Sequence, residues 1–177
     1  MGATTEDGDP GHRPPVAAAR RGALAGSLAV ALVAGCGTGD LPPTPDGVVG
    51  TVWSVSDVSG TRDTRVPEGW VVALPAERLR DLLDVAGDGH MERDLPYLQL
   101  TVPAGTLDTL GGTVVEVDGR GRFRVDVTGD TVLCRLPEHP SGRPTTLRGC
   151  DRADLAGGTV VRMTWGEGGL AVVPVDG

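Results

Sequence analysis

Past Cys36 the apolar residues of this chain come in short runs, and most runs are cut off by glycine or proline. Within the runs the spacing is mostly two: Leu98, Leu100 and Val102 alternate with polar residues, as do Phe123, Val125 and Val127. Period-two alternation presents one face of a strand to a core, whereas a packed helix needs apolar residues at i, i+3 and i+4. With 28 glycines and 14 prolines in 177 residues, the punctuation favours many turns between short strands. One stretch departs from this pattern. Leu79, Leu82, Leu83 and Ala86 fall at helical spacing, Pro75 suits a first helical turn, and Gly87 suits the end. The three leucines are expected as core contacts. The expected architecture is therefore all-β with one short inserted helix.

Taken in order, Val48–Val55 is expected as a strand with Thr51, Trp53 and Val55 on one face, and Trp70–Leu74 as a second, buried one. Ser56–Gly69 and Gly87–Pro96 read as polar loops, and Pro103–Gly112 as a connection. Asp118-Gly119, between Val115 and Val117 on one side and Phe123, Val125 and Val127 on the other, predicts a hairpin. Arg122, Arg124 and Asp126 would then face solvent. Gly129-Asp130 is expected as a turn, after which Val132, Cys134 and Leu136 point inward, with Leu133 and Arg135 opposite. A loop rich in proline and glycine is expected to run to Gly149-Cys150-Asp151. Thr159–Trp165 and Leu170–Val175 form a closing hairpin around Gly166-Glu167-Gly168-Gly169. Trp53 and Trp165 alternate with apolar neighbours, so they are expected in the core rather than on a binding platform.

Ahead of this lies a run from Ala23 to Gly35, preceded by Arg13, Arg20 and Arg21 and ending in Val33-Ala34-Gly35-Cys36. It is shorter than the roughly 18 residues needed to cross a bilayer as a helix. It also lacks the polar face of a packed surface helix. A basic region, an apolar region, small residues and then cysteine resemble the lipobox of bacterial lipoprotein signal peptides. That resemblance implies removal of residues 1–35 and a diacylglyceryl group on the Cys36 thiol. The chain would then be anchored at the extracytoplasmic face of the cell membrane, and two acyl chains suffice for a stable anchor. A soluble secreted precursor cleaved near the same point is the alternative. Arg20-Arg21 lacks the rest of a twin-arginine pattern. Glu6, Asp7 and Asp9 are unusual in a leader, and translation starting near Val16 would give a conventional one. Residues 36–47, with three prolines and three glycines, read as a tether; residues 48–177 read as one domain.

The formal net charge is −8 and every basic residue is arginine. Phosphate-backbone binding needs a net basic surface, so no nucleic-acid partner is expected. With Cys36 lipidated, Cys134 and Cys150 remain as an even pair in an oxidising compartment, and a disulfide is expected between them. A thiol nucleophile or a metal pair is the competing reading; His139 is the only imidazole near them in sequence.

Catalytic signatures are lacking. No Gly-x-Ser-x-Gly occurs, and the glycines do not lead into helices as a phosphate-cradling loop requires. Asp84, Asp88, His90, Glu92 and Asp94 could gather a cation such as calcium, but their spacing matches no EF-hand and a hydrophilic loop explains them equally well. Glu116 and Asp118 could form a carboxylate pair for glycoside chemistry, but a turn there itself demands Asp118. Arg122 and Arg124 could form an anion-binding stripe, against which stands an ordinary solvated strand face. No catalytic residue, metal site or cofactor is expected.

The segment Gly112–Val127 reads Gly-Thr-Val-x-x-Val-Asp-Gly-x-Gly-Arg-Phe-x-Val-x-Val and is followed by Val132-Leu133-Cys134. This resembles the core of carboxypeptidase regulatory-like, or transthyretin-like (prealbumin-type), domains. Gly50-Thr51-Val52 suits the opening strand of that family and Trp70–Leu74 its second. Gly129-Asp130-Thr131 replaces the family's Pro-Gly-x-Tyr turn, and residues 75–110 read as an insertion. The cysteine spacing and the Gly166-Glu167-Gly168-Gly169 ending are similar to actinobacterial lipoproteins with such a domain. The resemblance implies a Greek-key β-sandwich of about seven strands used as an accessory or adhesion module, without activity. The expected function is thus a non-enzymatic binding or accessory module of the cell envelope, with a protein or polysaccharide partner. The alternative is a hydrolase-type envelope enzyme with a site built from loops. A concave pocket with converging carboxylates or a histidine would favour the enzyme. A closed sandwich with only the 56–69 and 87–96 loops protruding would favour the binding module.

Overall fold

Period-two alternation resolves into two five-stranded sheets. The computed structural model describes residues 41–43, 46–56, 62–89 and 91–175. The leader, Cys36, most of the tether and His90 lie outside the described residues. The strands are β1 (Val48–Ser54), β2 (Thr64–Arg65), β3 (Trp70–Pro75), β4 (Gln99–Val102), β5 (Thr113–Glu116), β6 (Arg122–Val125), β7 (Gly129–Leu136), β8 (Thr145–Leu155), β9 (Val160–Gly166) and β10 (Gly169–Val175). The first sheet runs β10-β9-β1-β2, with β6 pairing the first half of β1 on the side where β2 pairs its end. The second runs β4-β8-β7-β3-β5. All pairings are antiparallel except β1 with β9. The architecture is the expected all-β sandwich, with ten described strands where about seven were expected.

Between the sheets lie Val48, Val52, Val71, Phe123, Leu133 and Met163, each at most 1% exposed. Phe123 is the only phenylalanine in the chain. Its ring lies so close over Gly50 that a Cβ there would stand 2.3 Å from Cζ. Glycine at that position lets an aromatic ring rest directly on a neighbouring strand.

A second apolar layer covers the far face of the second sheet. There α1 (Leu79–Ala86) lays Leu79, Leu82 and Leu83 against Val72, Leu74, Leu98, Leu100, Val132 and Leu147. Each leucine so buried contributes about 1.5–3 kcal/mol. Gly87 ends the helix, its N–H and that of Asp88 bonding back to the carbonyls of Asp84 and Leu83. The kinked 3₁₀ segment Met91–Tyr97 adds Leu95 to the same layer. Because both faces of this sheet are covered, Leu133 and Cys134 are both fully buried although they point in opposite directions.

Several sequence expectations change here. The Asp118-Gly119 turn does not close a hairpin. β5 pairs with β3 in the second sheet and β6 with β1 in the first, so the turn is an arch between layers. The arch puts Phe123 and Val125 of β6 into the inter-sheet core and packs Val115 of β5 against it from the other sheet. Gly129-Asp130 is not a turn but the start of β7. The loop expected to reach Cys150 ends by Pro144, and residues 145–155 form β8, the longest strand described. The 56–69 segment carries β2, and 87–96 does not simply protrude, since Leu95 is only 8% exposed. Pro103–Gly112 holds the short helix α2 (Thr106–Thr109).

Candidate functional site

Of the hollows on the described surface, two are built differently from each other, and a third of about 360 Å³ beside Pro75 and Asp130 carries no cluster of charged groups. The first lies on the outer face of the first sheet, is about 160 Å³ in volume, and is mostly apolar, lined by Leu41, Val49, Trp53, Val160, Arg162 and Val175 among others. Trp53 is not in the core. Val48, Gly50 and Val52 take the inward positions of β1, so Thr51 and Trp53 point out. The indole Nε1–H donates to Thr51 Oγ1 at 2.9 Å, which lays the ring along its own strand. From β2 on one side the Arg65 guanidinium approaches to 5.0 Å of the ring centroid, and from β9 on the other Arg162 approaches to 4.7 Å. Arg162 in turn pairs with Asp63 at 2.8 Å. Cation–π contacts of this kind contribute about 0.5–1 kcal/mol each at exposed sites. The two guanidiniums thus crowd the ring from both neighbouring strands. Leu41, expected in a free tether, lines the same hollow, and the Pro42 carbonyl accepts from Arg124 at 3.3 Å.

The second hollow is polar and larger, about 250 Å³. One wall is the open face of the β4–β8 ladder, where Gln99 stands opposite Arg148 and Thr101 opposite Thr146, their hydroxyls 3.1 Å apart. The other wall is the 137–144 loop, with Glu138, His139, Ser141 and Arg143. This loop is tied down by turn hydrogen bonds, Ser141 N–H to the His139 carbonyl at 2.8 Å among them. His139 also packs edge-on against Trp70, with ring centroids 4.4 Å apart. Sequence reading did not single out Gln99, Glu138, Ser141, Arg143 or Arg148, since they come from two separate segments and carry no motif.

The residues that sequence reading did single out are dispersed. Asp84, Asp88, Glu92 and Asp94 are exposed, and no group of three metal-ligating side chains gathers among the described residues. Arg122 is tied to Asp118, Nη2 to Oδ2 at 2.7 Å and Nε at 2.8 Å, while Arg124 reaches the Pro42 carbonyl, so no anion-binding stripe forms on β6. Trp165 packs against the inter-sheet core, as expected, with the Arg135 guanidinium 6.0 Å from its ring. Cys134 and Cys150 are fully buried and directly opposite on β7 and β8, Cα to Cα 4.1 Å, at disulfide distance. The pair thus links strand to strand, rather than a strand to an irregular segment. No described helix is long and apolar enough to cross a membrane.

Asp118 is a structural carboxylate. It accepts the Arg120 and Arg122 N–H groups at 2.9 Å each, closing the arch between β5 and β6. The Arg122 side-chain hydrogen bond, opposed by burial and helped by the Arg122 and Arg120 backbone N–H groups and the Arg122 charge, holds its pKa down at about 2. A depressed carboxylate stabilises the fold above its ordinary value of 3.8, and that contribution disappears as pH falls through about 2. Asp118→Asn is expected to lower the urea midpoint at neutral pH and to flatten its dependence across that acid window. A variant with an unchanged acid limb would remove Asp118 from the arch.

The fold and surface define a β-sandwich whose polar cleft opens beside the edge strand of one sheet. No family model matches the chain, and no curated protein matches it. Among solved structures, the chain is similar to a candidate carbohydrate binding protein from Pseudomonas aeruginosa at 17% identity and a TM-score of 0.42, covering 72% of this chain and 92% of that one. At this similarity nothing about ligands is transferred.

Proposed function

We propose that this chain is a lipoprotein of the cell envelope whose sandwich is a non-enzymatic binding module. In this reading residues 1–35 are removed on export and a diacylglyceryl group on Cys36 holds the domain at the extracytoplasmic face of the membrane. The domain offers its surface there to an envelope protein or polysaccharide. The observation that carries the binding role is the polar cleft, a set of fixed donors and acceptors on a rigid ladder and a tied loop, as a hydrated ligand requires. The location is supported by the lipobox-like Val33-Ala34-Gly35-Cys36 and by a buried cysteine pair at disulfide distance, an arrangement that belongs to oxidising compartments.

Intact mass of the protein extracted from membranes tests the anchor. The expected mass lacks residues 1–35, carries diacylglycerol, and gains two hydrogens on reduction. An unlipidated mass with free thiols would overturn the assignment. The rival reading, an envelope hydrolase, draws on Glu138 and His139 sharing one cleft wall. Hydrolysis of an envelope polymer that is lost in His139→Ala would establish it in place of the binding module.

A further inference from the structure

The polar cleft has a charge arrangement that an unliganded strand face does not need. Among the described residues, Arg78, Arg122, Arg152 and Arg162 each pair with an aspartate. Arg143 and Arg148 have no such partner, as is true also of the exposed Arg80, Arg93 and Arg120; what sets the first two apart is that they line opposite walls of one cleft, which Glu138 shares. Arg148 also stands opposite Arg135 across the β7–β8 ladder, and like charges placed directly opposite destabilise a sheet. Arg135 is held below the usual guanidinium value by burial first and by the Arg148 charge second. In a chain of net charge −8, such a cluster makes a local well for an anion against an acidic background. Guanidinium forks match carboxylate and phosphate oxygens geometrically.

The rest of the cleft is neutral and hydrogen-bonding. The Gln99 amide and the Ser141 and Thr146 hydroxyls can each donate and accept, which suits hydroxyl groups beside the anion. A volume of 250 Å³ exceeds what a bare anion needs. It falls below the ~300–1,000 Å³ of pockets that enclose a drug-sized ligand. Such a space fits one unit of a longer polymer whose neighbours remain in solvent. Pro137, Pro140 and Pro144 fix the backbone of the loop wall, so little ordering is required on binding.

We infer that this cleft binds an acidic glycan, with Arg143 and Arg148 holding the carboxylate or phosphate of one sugar unit and Gln99, Ser141 and Thr146 its hydroxyls. This rests on the binding-module reading and narrows it to a ligand class. The full-length lipoprotein in detergent is titrated calorimetrically with three probes: a galacturonic acid tetramer, glucose 6-phosphate, and a glucose tetramer as the neutral counterpart. At least one acidic probe is expected to bind about tenfold or more tightly than the neutral one, with affinity falling as salt rises. The tighter of the two identifies carboxylate or phosphate as the recognised group. Arg143→Gln and Arg148→Gln are each expected to weaken that binding about ten- to a hundredfold. Both side chains are exposed, so the melting temperature should not fall in either variant, and it should rise slightly in Arg148→Gln as the repulsion from Arg135 is relieved; lost affinity is then not lost fold. Equal binding of acidic and neutral probes overturns the inference while leaving a binding module in place. Failure of both acidic probes, or unchanged affinity in both variants, overturns it outright. The anchor stands or falls separately, on the mass.

Discussion

Gly149→Ala is expected to destabilise the domain by about 3 kcal/mol, combining a strained left-handed backbone with overpacking. Gly149 is the extra residue of a bulge in β8. The register of the β7–β8 ladder shifts between Cys134, opposite Cys150, and Arg135, opposite Arg148. Its φ is +67°, its N–H donates to the Leu98 carbonyl at 2.7 Å, and an added Cβ would stand 2.4 Å from a Trp165 ring carbon and 2.9 Å from the Pro96 carbonyl oxygen. The carbonyl belongs to backbone and cannot swing away as a flexible side chain would. Gly129 supplies the control, with a φ of +86° and nothing within 4 Å of the place an added Cβ would occupy. Gly129→Ala should therefore show backbone strain alone, about 1 kcal/mol. Urea denaturation of the two variants gives the difference directly. Equal losses would mean that the bulge is not pressed against Trp165 and Pro96.

The second large effect is expected at the cysteine pair. In the chain-entropy model, closing a loop of this length contributes about 3 kcal/mol by restricting the unfolded chain. The native strands are already paired around the bridge, so the contribution comes from the unfolded state rather than from new contacts in the sheet. Cys134→Ser with Cys150→Ser is expected to lower the melting temperature by roughly 10 °C, and reductant should have no further effect on that variant. Wild-type protein should lose stability when reduced. A reductant-insensitive wild type would falsify the bridge. The hydroxyls introduced lie at fully buried positions, so the double Cys→Ala variant separates loss of the cross-link from burial of polar groups.

Local chemistry is what the sequence states most clearly. Leu79, Leu82 and Leu83 announce α1 and its buried stripe, and Gly87 announces its end. Phe123 and Val125 announce the inward face of β6, and the Gly166–Gly169 turn joins β9 to β10 as its glycines suggest. These signals survive because helical stripe, strand alternation and turn chemistry are properties of a few adjacent residues. The polar cleft was not legible, since Gln99 and Arg148 meet Arg143 only after β4 docks on β8 and the 137–144 loop folds back.

Trp53 and Leu133 show where the division falls. Both sit in alternating segments, and alternation establishes that each strand has two faces. It does not say what covers them. Leu133 and Cys134 are both buried because α1 and the 3₁₀ segment close one side of their sheet while the other sheet closes the opposite side. Trp53 faces outward because Val48, Gly50 and Val52 claim the inward positions of β1 and Phe123 fills the space over Gly50. The Asp118-Gly119 arch makes the same point for pairing. The sequence by itself determined that the chain reverses there, through Asp118 accepting neighbouring N–H groups. Only the tertiary structure decided that β5 and β6 join different sheets, because the choice of strand partner depends on total apolar area buried across the whole domain, and no short segment contains that quantity.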